Sequence, residues 1–121
     1  MSTTTPDCPL CLDNKLFKSE ILAENDGAYL CPTSNVPGNY LIIPKPHVEE
    51  PTKLPNDWWQ DFKELLAQVP EPPSNYNISL NVGKLAGQTL KHLHFWIIPR
   101  KAGSPNEGKG LAILVSPVEK E

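Results

Sequence analysis

Apolar and polar positions alternate along this chain in two rhythms, and the change of rhythm marks its elements. Ile21-Leu22-Ala23 and Ala28-Tyr29-Leu30-Cys31 are short apolar runs separated by Asn25-Asp26-Gly27. Asp-Gly between such runs predicts a hairpin, because both residues tolerate positive φ. Tyr40-Leu41-Ile42-Ile43 is an unbroken apolar run closed by Pro44-Lys45-Pro46-His47, and it predicts a strand buried on both faces. From Asn56 the period lengthens: Trp58, Phe62, Leu65, Leu66 and Val69 lie at i, i+4, i+7, i+8 and i+11, with polar residues between them. This pattern predicts one amphipathic helix, capped by Asn56 or its neighbour and stopped by Pro70, with its Trp and Phe in the core.

The period of two returns in Tyr76-Asn77-Ile78-Ser79-Leu80-Asn81-Val82, a half-buried strand. A turn follows at Gly83-Lys84-Leu85-Ala86-Gly87-Gln88, then an expected strand from Thr89 to Ile98 and a last one at Leu111-Ala112-Ile113-Leu114-Val115. Antiparallel strands with one long helix make an α+β domain, taken as a single domain over 1–121 with its core at about 8–100. The 14 prolines, Pro72 and Pro73 among them, fall between the periodic segments and punctuate them. The stretch 101–110, rich in glycine and polar residues, is the one candidate for a mobile segment and could flank a site.

Composition narrows the function classes. A chain of 121 residues should bury roughly 60 to 70% of its unfolded surface, enough for one core. A net charge of -3 offers no basic face for a nucleic acid polymer, although a small phosphate ligand needs only local donors. The N-terminus shows no secretory signal, and no apolar run approaches the roughly 20 residues of a membrane helix, so the expectation is a cytoplasmic protein with no membrane contact. Three cysteines argue for reduced thiols or a metal site rather than a disulfide framework.

On the expected strand Thr89–Ile98, alternation puts Leu90, His92, His94 and Trp96 on one face and Lys91, Leu93, Phe95 and Ile97 on the other. A bare His-x-His is more often a hydrogen-bonded pair in a sheet than a site. Upstream, the N–H groups of the glycine turn and the side chains of Gln88 and Thr89 could cradle a phosphate. The turn is no Walker loop, since Leu85 stands where the Ser or Thr for magnesium would be needed.

Together, Asn81-x-Gly83-x-x-Ala86-Gly87-Gln88-Thr89-x-x-His92-x-His94, Ile97-Ile98-Pro99-Arg100 and the earlier Pro37-Gly38-Asn39-Tyr40-Leu41-Ile42-Ile43-Pro44-Lys45-Pro46-His47 resemble the signature of the histidine-triad (HIT) superfamily over roughly residues 8 to 100. The resemblance implies a domain of sheet and helix, usually a homodimer, which binds a nucleoside monophosphate moiety and transfers or hydrolyses it through a phosphohistidine. By position, His94 matches the nucleophile, Gln88 and Thr89 match residues at the α-phosphate or leaving group, and Asn81 and Gly87 match others lining the phosphate site. A neutral imidazole is available near pH 7, and a backbone carbonyl on one nitrogen would leave the other free to attack. The nucleotidyl-imidazole would then pass to water or another acceptor, with no catalytic metal required.

Two positions depart from that pattern. Trp96 stands at the third triad position, usually His and in some branches Gln. An indole offers one N–H and no acid that titrates near neutrality, so proton donation from that position is gone; the ring could narrow the pocket, stack on a ligand, or mark a site that binds without turnover. Cys31 stands where the family commonly places an aspartate for the ribose hydroxyls, and a small buried hydrophobe is an equal reading of it.

Cys8-Pro9-Leu10-Cys11, with His47 and His92, would make a tetrahedral zinc set; the spacing alone leaves a redox pair or two reduced thiols open. The zinc-bearing branch of the resembled family implies the same arrangement, a structural site that leaves His94 free for chemistry. Arg100 could reach a phosphate or lie on the surface, Lys84 and Lys91 read as solvated, and Tyr29, Phe17 and Ile21 read as core rather than a base pocket. The leading expectation is a nucleotide hydrolase or nucleotidyl transferase acting at an α-phosphate. A nucleotide-binding module without efficient turnover comes second, and a zinc-stabilised interaction domain third.

Overall fold

The computed structural model describes residues 4–33, 36–70 and 74–115; Pro72, Pro73, the first three residues and those from 116 on lie outside them. Five antiparallel strands form one sheet in the order β1-β2-β3-β5-β4, where β1 is Ala23–Glu24, β2 Ala28–Pro32, β3 Tyr40–Pro44, β4 Tyr76–Leu80 and β5 Phe95–Pro99. One helix, α1 (Trp58–Leu66), joins β3 to β4, and a short helix, α2 (Leu111–Val115), follows the sheet. This is the expected α+β arrangement.

Register divides the sheet into two faces. Leu30, Ile42, Phe95 and Leu80 align across the strands on the face that α1 covers with Trp58, Phe62 and Leu65. Trp58 stacks on Phe95 with ring centroids 5.5 Å apart, an offset contact that adds to the area the two rings bury. The opposite face carries Tyr29, Cys31 and Ile43, covered by Leu10 with Leu12, Phe17 and Ile21 packed around them. The unbroken run of β3 is therefore buried on both sides, as its composition predicts.

The hairpin between β1 and β2 forms, by a different turn from the expected one. Neither Asp26 nor Gly27 takes positive φ; instead Asn25 Oδ1 accepts hydrogen bonds from the N–H groups of Gly27 and Ala28. A side-chain amide thus mimics the missing backbone acceptor. The helix starts after Asp57, whose side chain makes no capping bond, and ends at Leu66, while Val69 still reaches the core.

Two expected strands are corrected. The strand from Thr89 to Ile98 reduces to Phe95–Pro99. Its ladder with β3 ends at the Ile42–Phe95 pair; two residues on, Pro44 has no N–H to offer, and the Leu93 N–H turns to the Val48 carbonyl at 2.8 Å. The alternation survives the loss of the ladder, because Leu93 and Phe95 enter the helix-side core while His92 does not. Leu111–Val115 is a helix: its N–H groups at Ile113 and Leu114 bond back to the Gly110 carbonyl. A short apolar run does not distinguish strand from helix by period, and no sheet edge takes this one up.

Candidate functional site

The histidine segment crosses the end of β3 just before β5, and its two histidines receive different partners. His94 Nδ1 lies 2.9 Å from the carbonyl oxygen of His92. A carbonyl only accepts, so Nδ1 carries the proton and Nε2 keeps its lone pair. Two residues on, Trp96 is half-buried, its ring centroid 6.3 Å from that of His94. Trp96 pairs across the sheet with Leu41 on β3 and Ser79 on β4. Its Nε1 is buried and has no hydrogen-bond partner among the described residues.

The glycine turn is closed on itself. The N–H groups of Ala86 and Gln88 bond to the Gly83 carbonyl, that of Gly87 to the Lys84 carbonyl, and that of Gly83 to Gln88 Oε1 at 2.7 Å. Gln88 Nε2 donates to the Glu49 carbonyl at 3.2 Å, so the amide latches the loop to the segment after β3. Gly83 and Gly87 have φ of 90° and 96°, where a side chain is strained. A Cβ on Gly87 would also sit 3.5 Å from Asn81 Nδ2, which places Asn81 and Gly87 against each other. Thr89, Lys84 and Lys91 are exposed.

Cys8, Cys11, His47 and His92 converge, with ligand atoms all within 4.8 Å of one another. Cys11 Sγ is 3.3 Å from His47 Nδ1 and 3.5 Å from His92 Nδ1, and Cys8 Sγ is 3.5 Å from His92 Nδ1. Around tetrahedral zinc, sulfur and nitrogen ligands stand about 3.6 Å apart, so the donor set fits such an ion. His92 Nε2 donates to the Pro44 carbonyl at 2.7 Å, which aims its Nδ1 lone pair at the thiols, the usual support for a metal-bound imidazole. Burial drives the His92 pKa down to about 4, with the His47 and His94 charges adding to the effect, so its ring is neutral and ready to ligate. Burial also raises the Cys11 thiol. A cavity of about 250 Å³, lined in part by Thr5, Cys8, His47 and Lys91, opens beside the cluster and gives it a path to solvent.

The remaining candidates are placed elsewhere. Cys31 is 1% exposed in the second core and its thiol is pushed up to about 12 by burial, so it has no surface from which to meet a ribose. Tyr29 is buried and donates its hydroxyl proton to the Leu10 carbonyl, edge-on to Phe17. Arg100 bonds to Asn77 Oδ1 and to the carbonyls of Asn106, 2.8 Å, and Lys109, 2.7 Å, so it anchors the 101–110 loop. The groups that position the site and that residue types do not reveal are backbone carbonyls: those of Pro44, Val48, Glu49 and His92.

A model of the HIT domain matches residues 17–103. The chain is 37% identical over 113 residues to an adenosine 5'-monophosphoramidase of Schizosaccharomyces pombe, covering 85% of this chain and 80% of that one. A hypothetical protein from Leishmania major superposes with a TM-score of 0.70 at 28% identity, covering 84% of this chain and 78% of that one. A Zn-bound histidine triad family protein from Mycobacterium smegmatis shares the fold, with a TM-score of 0.67 at 21% identity over 85% of this chain and 81% of its own. With a domain match over most of its length and a relative of this identity, the chain belongs to the HIT domain family.

Proposed function

We propose that this protein is a nucleotide hydrolase that breaks the bond between an α-phosphate and its substituent, with His94 as the nucleophile. The observation that carries the reading is the His94 Nδ1 bond to the His92 carbonyl, which leaves Nε2 as the free nucleophilic nitrogen. The relative's name, an adenosine 5'-monophosphoramidase, supports the class of substrate. Asn81, Gly87 and Thr89 would line the phosphate side. Gln88 would have to exchange its bonds to Gly83 and Glu49 for the phosphoryl oxygens when substrate binds.

Zinc on Cys8, Cys11, His47 and His92 would be structural, since four protein ligands leave no open position. It would pin the N-terminal segment to the end of the sheet. We also propose a homodimer, as the family resemblance implies, and, by default, a cytoplasmic location; sedimentation of the purified chain tests the first part. A second reading, a nucleotide-binding module without turnover, is favoured by one observation, the indole in place of a titratable group at Trp96.

The deciding experiment is AMP and GMP release from a panel of phosphoramidates and dinucleoside polyphosphates, with His94→Ala beside the wild type. Release that vanishes in the variant supports the hydrolase. Binding of nucleotide without release supports the module, and neither release nor binding refutes both.

A further inference from the structure

The leaving group of a displacement at phosphorus departs opposite the attacking atom, and what it needs there depends on its chemistry. A carboxylate or a phosphate leaves as a stable anion. An amine does not: its nitrogen must gain a proton before or as the P–N bond breaks. The question for this site is which group near His94 holds a proton to give.

Neither of the rings set beside His94, those of His92 and Trp96, is placed to give one. His94 commits its own ring proton to the His92 carbonyl. His92, the nearest other imidazole, commits its Nε2 proton to the Pro44 carbonyl and turns Nδ1 toward the two thiols. Trp96 follows His94 by two residues with its ring in reach, and its neighbours across the sheet are Leu41 and Ser79, a hydrocarbon and an alcohol. Beyond Leu41 lies Cys31, fully buried. Gln88 is an amide. The indole N–H is a hydrogen-bond donor and not an acid at any working pH.

Resting on the hydrolase reading above, we propose that Trp96 makes this site selective for nucleotidyl compounds whose leaving group departs as a stable anion, mixed carboxylic–phosphoric anhydrides above all, and poor on phosphoramidates. The step balances without an acid. The Nε2 lone pair of His94 forms the N–P bond while the P–X electron pair leaves with X as X⁻, and Nδ1 keeps its proton on the His92 carbonyl. Water then attacks phosphorus, the N–P pair returns to Nε2, and the proton released by water is taken up by X⁻ or solvent. The products are a nucleoside monophosphate and HX. For an alkylamine the same step would have to expel an amide anion, which neither the committed ring protons of His92 and His94 nor the indole of Trp96 can protonate. This selectivity differs from the activity in the name of the relative from Schizosaccharomyces pombe.

The test uses the full chain and four adenosine 5'-phosphate derivatives: an acetyl anhydride, a 4-nitrophenyl ester, a phenyl ester and an alkylamine phosphoramidate. In the wild type, kcat/KM should fall steeply from the nitrophenyl to the phenyl ester. The ratio of phosphoramidate to anhydride turnover corrects for intrinsic reactivity when compared between wild type and Trp96→His, and it should rise about 100-fold in the variant, the low end of what a positioned acid supplies. The ester series on the wild type decides the matter if the variant does not fold. A ratio that stays within about threefold between the two proteins, or a shallow dependence on the leaving group, overturns the selectivity alone. No release from any of the four overturns it together with the hydrolase reading.

Discussion

The carbonyl oxygen of His92 lies 2.9 Å from Nδ1 of His94, so the residue whose ring joins the Cys8–Cys11–His47 cluster also fixes, through its backbone, the tautomer of the residue two places on. The two sites share one segment. Metal at the cluster would hold the His92 backbone still, and its loss would free the carbonyl that orients His94. We expect chelation to slow AMP release about tenfold or more, the scale of lost support around a metal ligand, although no metal meets phosphorus in this scheme. Restoring zinc should restore the rate. A metal-free protein that folds and works at full speed would show the two sites to be independent.

The thiols give a second test. With metal bound, Cys8 and Cys11 would be capped, and Cys31 is buried with a thiol pushed up to about 12, so it stays protonated and unreactive at neutral pH. Treatment with a strong chelator and a thiol reagent should release metal and expose Cys8 and Cys11 while Cys31 still resists. Reaction of Cys31 at the same rate as the other two would mean that the second core opens.

Trp58 and Trp96 make opposite predictions for one substitution. Trp58 Nε1 donates to the Gly27 carbonyl at 2.8 Å and ties α1 to the first hairpin, so Trp58→Phe should cost about 0.5–1.5 kcal/mol for the hydrogen bond lost, the carbonyl still accepting from the Lys45 N–H. Trp96 Nε1 is buried without a partner among the described residues, so Trp96→Phe discards a donor unpaired there and should leave stability level or raise it. Denaturant midpoints of both variants decide it; a Trp96→Phe loss as large as that of Trp58→Phe would assign the indole N–H a partner.

These cases mark what residue types reveal. Periodicity located α1, β2 and β3 because each buries the apolar positions that mark it, whereas in β4 Tyr76 and Ile78 stay exposed, and the double burial of β3 followed from its lack of polar positions. The four metal-ligand candidates, far apart in sequence, are together in space, and Cys-x-x-Cys with two histidines was the legible part of that site. The extent of the histidine strand was not legible, since it ends where Pro44 withdraws a donor, a fact about the neighbouring strand. The closure of the glycine turn was equally hidden: the same Gln88 that resembles a phosphate ligand serves as a latch to the Glu49 backbone. The helix at Leu111–Val115 was misread because five apolar residues suit either element.

Acidity acts on the chelated protein through His92. Its folded pKa is about 4 against an ordinary value near 6.5, lowered mainly by burial, so the native state holds it neutral while the unfolded chain takes up a proton first as pH falls. The stability from this group is therefore present above about pH 6.5 and lost as pH falls toward 4. Imidazole resonances recorded at pH 5.5 should show His92 unprotonated in the folded protein, and the denaturant midpoint should already have dropped from its value at pH 7. A protonated His92 at that pH would contradict the buried, neutral ring.

Arg100 carries the last prediction. Its guanidinium reaches Asn77 on β4 and the carbonyls of Asn106 and Lys109, so one planar group bridges the sheet edge to two points of the 101–110 loop. Lysine keeps the charge but is a point donor, and it cannot span three oxygens held in a fork. Arg100→Lys should therefore free the loop while leaving the core in place, because the bonds lost lie at the edge of the sheet. Trypsin provides the reading, since Lys101 and Lys109 bracket the loop. Cleavage there should quicken in the variant with the denaturant midpoint little changed, as expected for opening of a local segment. Equal cleavage of both proteins would show that the backbone turns of the loop, Ser104 to Lys101 and Lys109 to Asn106, hold it without the arginine.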